Sequence, residues 1–179
     1  MRQPRSQHSS VYLLGKLYVF GGNGTNTAEV YRNFIWTQLP NMKKHRKGLS
    51  IAPYKYEIYI ADERDPDIEV FDIKTLTYTL FKYSGLRLSQ KLMVSHPPCV
   101  YLFESMFHVA KKTPSMRSTK LNLFNGTKKI IDNNTINVHW NSFVPVIFGD
   151  AVYTVENGLV WRHIIEIALS KKVVSFELE

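Results

Sequence analysis

A tyrosine set in a short apolar run returns along this chain at nearly even intervals. Tyr18 in GKLYVFGG is followed 41 positions later by Tyr59 in EIYIAD, 42 later by Tyr101 in CVYLFE and 52 later by Tyr153 in AVYTVE. Arg5, Arg46 and Arg87 keep the same step of 41, as do Met1 and Met42. Val30-Tyr31 returns as Val70-Phe71 and Leu123-Phe124, and Trp36-Thr37 more loosely as Tyr78-Thr79. A fixed period of about 40–50 residues implies stacked copies of one unit, none able to bury its apolar face alone. Within a unit, apolar, β-branched and aromatic residues alternate over short runs bounded by Gly, Pro and Asn, which read as strands.

Four units result: Met1 to Pro40, Asn41 to Tyr83, Ser84 to Asn137 and Val138 to Glu179. The first is the most regular. Its run Leu17 to Phe20 stops at Gly21-Gly22, where backbone freedom lets a strand end sharply or another segment come close. A polar loop follows, then Glu29-Val30-Tyr31, Trp36-Thr37, Leu39-Pro40 and Met42. This combination resembles a kelch repeat, the unit of one β-propeller blade. The resemblance implies an all-β, kelch-like β-propeller segment of about four four-stranded blades, forming a single domain over 1–179. Later units depart from the pattern. Ala61-Asp62, Glu104-Ser105 and Glu156-Asn157 stand where the glycine pair is expected, and an insertion, KKTPSMRSTK, lengthens the third unit as a loop. Ile164, Ile165 and Ile167 favour a strand over a helix between Trp161 and Ser170.

Strands within a blade alternate in direction, so the loops between the second and third strands share one end with the loops between blades. That end receives the Asn23 to Asn26 loop, the basic run Lys43 to Lys47, the acidic loop Asp62 to Asp67, Arg87, the insertion and Asn133-Asn134. The opposite end is expected to hold shorter turns, with Asn125-Gly126 and Lys171-Lys172 among them. Loops on a rigid scaffold carry binding residues, so the first end is the candidate face. In the kelch resemblance, arginines placed like Arg5, Arg46 and Arg87 point toward the channel mouth and hold acidic peptides through paired hydrogen bonds. The residues themselves show only that the positions recur, and the alternative is that these arginines bridge neighbouring blades or bond backbone carbonyls. Partner-binding candidates are Arg5, Arg46, Arg87, Lys43, Lys44, Arg64, Lys111 and Lys112. Tyr18, Tyr59, Tyr101, Tyr153, Trp36, Phe71 and Phe124 are expected in the core between blades.

Other chemistry finds little footing. The six histidines are scattered, with no pair at metal-ligand spacing. Gly22-x-Gly24 lacks the third glycine and following helix of a phosphate loop. Copper oxidases with a tyrosine–cysteine cofactor share the kelch architecture. Cys99 and Tyr101 share a strand face, but His96 beside Pro97 reads as a turn residue rather than a ligand, so no cofactor and no metal is expected. The net charge of +8 admits acidic partners. Stacking aromatics are missing beside Lys43 to Lys47, and Asp62 to Glu69 offset that run, which disfavours nucleic acid. No apolar run approaches the roughly 18 residues of a membrane span, so no membrane partner is expected. A polar N-terminus and a single cysteine, Cys99, suit the cytoplasm, and the three glycosylation sequons read as turns.

The expected function is a non-catalytic kelch-type scaffold for protein–protein interaction. Its alternatives are a kelch-fold enzyme acting on a small molecule or carbohydrate, and a basic adaptor for nucleic acid. Kelch-type propellers commonly close as rings of five to seven blades. Met1 aligns with Met42 and the chain ends on a strand-like run, so an open arc completed by a second copy or a neighbouring chain is expected.

Overall fold

Side chains alternate across a strand, so each unit becomes a sheet with two faces to cover. The computed structural model describes residues 1–22, 24–46, 48–83, 91–97, 99–108, 113–123, 129–136, 146–148, 151–156, 159–164 and 169–175. Its first sheet is β1 (Ser9–Leu13), β2 (Lys16–Phe20), β3 (Ala28–Arg32) and β4 (Ile35–Leu39). The second is β5 (Ser50–Tyr54), β6 (Glu57–Ala61), β7 (Ile68–Asp72) and β8 (Thr77–Phe81). The third is β9 (Lys91–His96), β10 (Cys99–His108), β11 (Thr113–Asn122) and β12 (Lys129–Ile136). The fourth is β13 (Val146–Phe148), β14 (Ala151–Glu156), β15 (Leu159–Ile164) and β16 (Leu169–Ser175). Every sheet is an antiparallel meander in chain order, and no helix occurs among the described residues. These are propeller blades.

The first strands of successive units lie side by side, β1 next to β5 and β5 next to β9. The second blade is therefore covered on both faces. Ile58, Ile60 and Phe71 face the first blade, where they meet Tyr18, Phe20, Ala28 and Leu39. Tyr59, Ala61, Ile68 and Val70 face the third blade and meet Met93, Val100, Leu102 and Leu121. Phe71 is the hub of the first interface. Its ring contacts Phe20 edge-on at 5.7 Å, Tyr18 at 6.4 Å and Tyr78 at 4.6 Å between centroids. Polar bonds also cross between blades. The Ser9 hydroxyl donates to Leu49 O, Ser50 Oγ accepts Met93 N–H at 2.7 Å, and the Tyr78 hydroxyl donates to Pro40 O at 3.0 Å.

Four expectations are corrected. The insertion is not a loop: from Thr113 it extends β11, which pairs with β10 from Cys99↔Asn122 to His108↔Thr113 as a long hairpin. Asn133 and Asn134 lie within β12, paired to Thr119 and Ser118. Lys171 and Lys172 lie within β16, opposite Arg162 and Trp161. A continuous backbone ladder satisfies more amide groups than an open loop would, and that favours strand at all three places. Trp36 is the fourth. Its register opposite Tyr31 turns it away from the second blade, so it is half-buried against the Tyr31 ring at 4.9 Å. Tyr18, Tyr59, Phe71 and Tyr101 are buried as expected. Phe124 and the side chain of Tyr153 lie outside the described residues.

Tyr59→Ala should therefore cost roughly 3–5 kcal/mol, the cavity cost of a buried aromatic, whereas Trp36→Ala should cost only about 1–2 kcal/mol. Chemical denaturation of the two variants checks this. Equal losses would contradict the register of the first blade.

Candidate functional site

The loop-bearing end is built on a repeated clamp. In the first blade, Gly21 and Gly22 both adopt positive φ, at 62° and 92°. A Cβ on Gly22 would stand 2.8 Å from Ser6 O, because the segment entering β1 crosses the loop there. Arg5 Nη1 donates to Gly21 O at 2.6 Å and Thr27 O at 3.2 Å. Its Nε sits 3.6 Å from Glu29 Oε2, while Glu29 Oε1 accepts Arg2 N–H at 3.1 Å. One buried carboxylate on β3 thus holds both the backbone and the guanidinium of the entering segment.

The second blade repeats this arrangement and strengthens it. Glu69 on β7 accepts Lys43 N–H at 2.5 Å through Oε1 and Arg46 Nε at 3.0 Å through Oε2. Arg46 Nη1 reaches Asp62 Oδ2 at 2.9 Å. The second oxygen of Asp62 accepts the amides of Arg64 and Asp65, each at 2.7 Å. Strand register puts Ala61 in the place of Phe20 and Asp62 in that of Gly21, which shifts the expected counterpart of the glycine pair by one residue. Arg46, Glu69 and Asp62 are all buried. Such a group is stable only because every charge has an opposite partner within hydrogen-bond reach.

The third blade keeps the positions and changes the residues. Thr119, opposite Leu102, occupies the place of Glu29 opposite Val19 and of Glu69 opposite Ile60. Tyr83, 41 residues after Met42, donates its hydroxyl to Glu104 Oε2 at 2.9 Å and lies 2.6 Å from Thr119 Oγ1. Lys91 Nζ, at the start of β9, donates to Asp62 O at 2.8 Å and Asp65 O at 3.0 Å, with Glu104 at 3.9 Å. Burial pushes the Lys91 ammonium's pKa down, and Glu104, Asp62 and Asp65 pull it back up. The third blade is thereby tied to the acidic loop of the second.

The expected site residues separate into three groups. Arg5 and Arg46 have buried side chains committed within their own units, Arg5 to Glu29 and to backbone carbonyls and Arg46 to Asp62 and Glu69, rather than bracing one blade against the next. Lys44 pairs with Asp65 and, at 3.5 Å, with Asp67. The hydrogen bond to Asp65 raises the lysine's pKa. Desolvation would raise that of Asp65, but the same bond holds it low. Lys43 and Arg64 are exposed on this end. Arg87, Lys111 and Lys112 lie outside the described residues. Sequence reasoning passed over Glu29 and Glu69 as site-forming residues. The signal was present, since each directly precedes the recurring Val-Tyr or Val-Phe pair.

At the opposite end, a cavity of about 300 Å³ opens between the second and third blades. Tyr54, Tyr56, Glu57, Tyr59, Asp72 and Leu123 line it. Both acids already accept bonds: Glu57 Oε2 from the Tyr59 hydroxyl at 2.5 Å, and Asp72 Oδ1 from the amides of Lys74 and Thr75 at 2.7 and 3.2 Å. Burial first, then Glu57, pushes the Tyr59 phenol far above its ordinary pKa, so it stays a donor. Among the described residues, no three His, Cys, Asp or Glu side chains are grouped to hold a metal.

Comparison with known proteins agrees with this geometry. The kelch motif matches residues 4–43, the first blade and the segment leading from it. No curated protein matches the chain. A solved structure titled "Structure of YjhT" superposes with a TM-score of 0.70 at 10% identity, covering 97% of this chain and 66% of that one. The chain thus spans about two thirds of the length of that structure, and the likeness concerns fold alone. The comparisons therefore show a kelch motif in the first blade and a propeller-like fold over the chain.

Arg46→Ala should destabilise the protein by roughly 3–5 kcal/mol, because it strands Asp62 and Glu69 as buried charges. Lys43→Ala, at an exposed side chain, should stay within about 0.5 kcal/mol of the parent. Urea unfolding of both variants checks this, and a parent-like Arg46→Ala would contradict the clamp.

Proposed function

We propose that the chain is a non-catalytic interaction scaffold that binds a protein partner through the loops between second and third strands and those between blades. The observation that carries this reading is that buried charges pin those loops while Lys43 and Arg64 stay exposed on them. A surface ordered during folding loses little further entropy on docking. Exposed cations on its rim suit an acidic segment and speed its approach. Kelch repeats commonly mediate protein interactions, which supports the same reading. Lys44 is neutralised by Asp65 and Asp67, which weighs against a basic adaptor for nucleic acid. The reading takes the protein to be cytoplasmic, with its single cysteine, Cys99, buried in the third blade.

The cavity beside Tyr56 favours a second reading, an enzyme or receptor for a small molecule or carbohydrate at the other end. Its carboxylates already accept hydrogen bonds from the chain, which suits binding better than proton transfer.

Lys43→Glu combined with Arg64→Glu should abolish capture of the partner from a native extract and leave the melting temperature unchanged, since both side chains are exposed. Quantitative mass spectrometry of the captured proteins checks this. An identical captured set from parent and variant would contradict the reading.

A further inference from the structure

Four turns close the other end of the first two blades. They are 14–15 between β1 and β2, 33–34 between β3 and β4, 55–56 between β5 and β6, and 73–76 between β7 and β8. Each turn exposes one large apolar or aromatic side chain with a cation no more than two positions away. Leu14 (60% exposed) stands beside Lys16, Phe34 (93%) beside Arg32, Tyr56 (45%) beside Lys55, and Leu76 (45%) beside Lys74. Ile35 adds a further exposed side chain next to Phe34.

The backbone at these tips works against the residues it carries. Leu14, Phe34 and Leu76 sit at φ of 49°, 64° and 56°, a region that glycine and asparagine enter readily and bulky residues do not. A two-residue hairpin turn with positive φ at both positions favours Asn-Gly. Gly15 and Asn33 meet that demand, whereas their neighbours Leu14 and Phe34 do not. Exposed side chains repay none of this strain through core packing. Strain retained at exposed positions points to an interaction outside the chain.

The cations at these tips are not neutralised by acids, and two of them lie over aromatic rings. Among the described residues, none of Lys16, Arg32, Lys55 and Lys74 has a carboxylate partner. Lys74 Nζ lies 3.5 Å from the Tyr56 ring centroid, and Lys55 Nζ lies 5.3 Å from that of Tyr54. The acids of the same turns, Glu57 and Asp72, accept the internal hydrogen bonds already described.

We propose that this end of the propeller docks on an anionic lipid bilayer. The apolar tips enter the boundary between headgroups and acyl chains, and the neighbouring cations meet lipid phosphates. A bilayer fits better than a protein partner because the tips stand on four separate turns, each carrying its own cation. Apolar anchors interspersed with Lys and Arg are the pattern of elements that lie on anionic membranes. The net charge of +8 adds long-range attraction. No helix among the described residues is long and apolar enough to cross a membrane. The inference is independent of protein binding at the opposite end.

Vesicle co-sedimentation tests the proposal, using about 30% phosphatidylserine in phosphatidylcholine against phosphatidylcholine alone, in roughly 0.1 M salt. The parent protein should pellet with the anionic vesicles only. Phe34→Gly combined with Leu14→Asn should weaken that binding by roughly tenfold or more and leave the melting temperature equal or higher, because each turn gains a residue suited to positive φ. Arg32→Gln combined with Lys74→Gln should weaken it comparably, and this pair decides the matter if the tip variant fails to fold. Lys43→Gln combined with Arg64→Gln, at the opposite end, should bind like the parent. A parent protein that ignores anionic vesicles overturns the proposal, as does a folded tip variant that binds as tightly. Loss of binding confined to the Lys43 and Arg64 variant overturns it equally.

Discussion

A carboxylate buried on the third strand of a blade holds the chain as it enters that blade. Glu29 and Glu69 each accept a backbone amide three residues ahead of an arginine and face that arginine's guanidinium with the other oxygen. A buried carboxylate left alone would be strongly destabilising, so the arginine and the amide are conditions for its presence. The clamp fixes where each of the first two units begins relative to its own sheet. That in turn fixes how β1, β5 and β9 line up, and which faces of the blades meet. Phe71 can pack against Tyr18 and Phe20 only because this registration places both sheets. In the third blade the Tyr83, Thr119 and Glu104 cluster stands where the arginine–glutamate pair stood, and Lys91 reaches back into the loop of the second blade.

The two ends of the propeller consequently differ in kind. At one end, charge is drawn inward and spent on structure, leaving a rigid surface with a few exposed cations. At the other, short turns display apolar side chains that the core does not use. This division follows from chain direction. Loops that link blades must be anchored to two sheets, whereas a two-residue hairpin turn needs only suitable backbone angles. The hairpin end is free to carry residues chosen for something else.

Much of the fold was legible because it is periodic. Tyr18, Tyr59 and Tyr101 marked the second strand of each unit, and the pair after Glu29 and Glu69 marked the third. The arginine spacing pointed to the clamp, but its partners were hidden. A single strand-internal glutamate does not announce whether it faces solvent or a guanidinium, and only three-dimensional register brings Glu69 to Arg46 across 23 positions. Trp36 misled because aromatic character signals burial without saying on which face. The insertion in the third unit misled because its polar residues resemble a loop, while pairing β10 with β11 depends on partners far along the chain. The apolar tips were invisible for a related reason. Leu14, Phe34, Tyr56 and Leu76 are scattered singly in sequence and gather at one end only through the strand alternation of two blades.

The clamp is tested most directly by amide hydrogen exchange on the unmodified protein. The amides of Lys43, Arg64 and Asp65 belong to loops yet donate to buried carboxylates. They should exchange as slowly as the strand amides of β6 and β7, because opening them requires opening the blade interface. Exchange of these three amides at the rate of an unstructured peptide, with β6 and β7 still protected, would contradict the account.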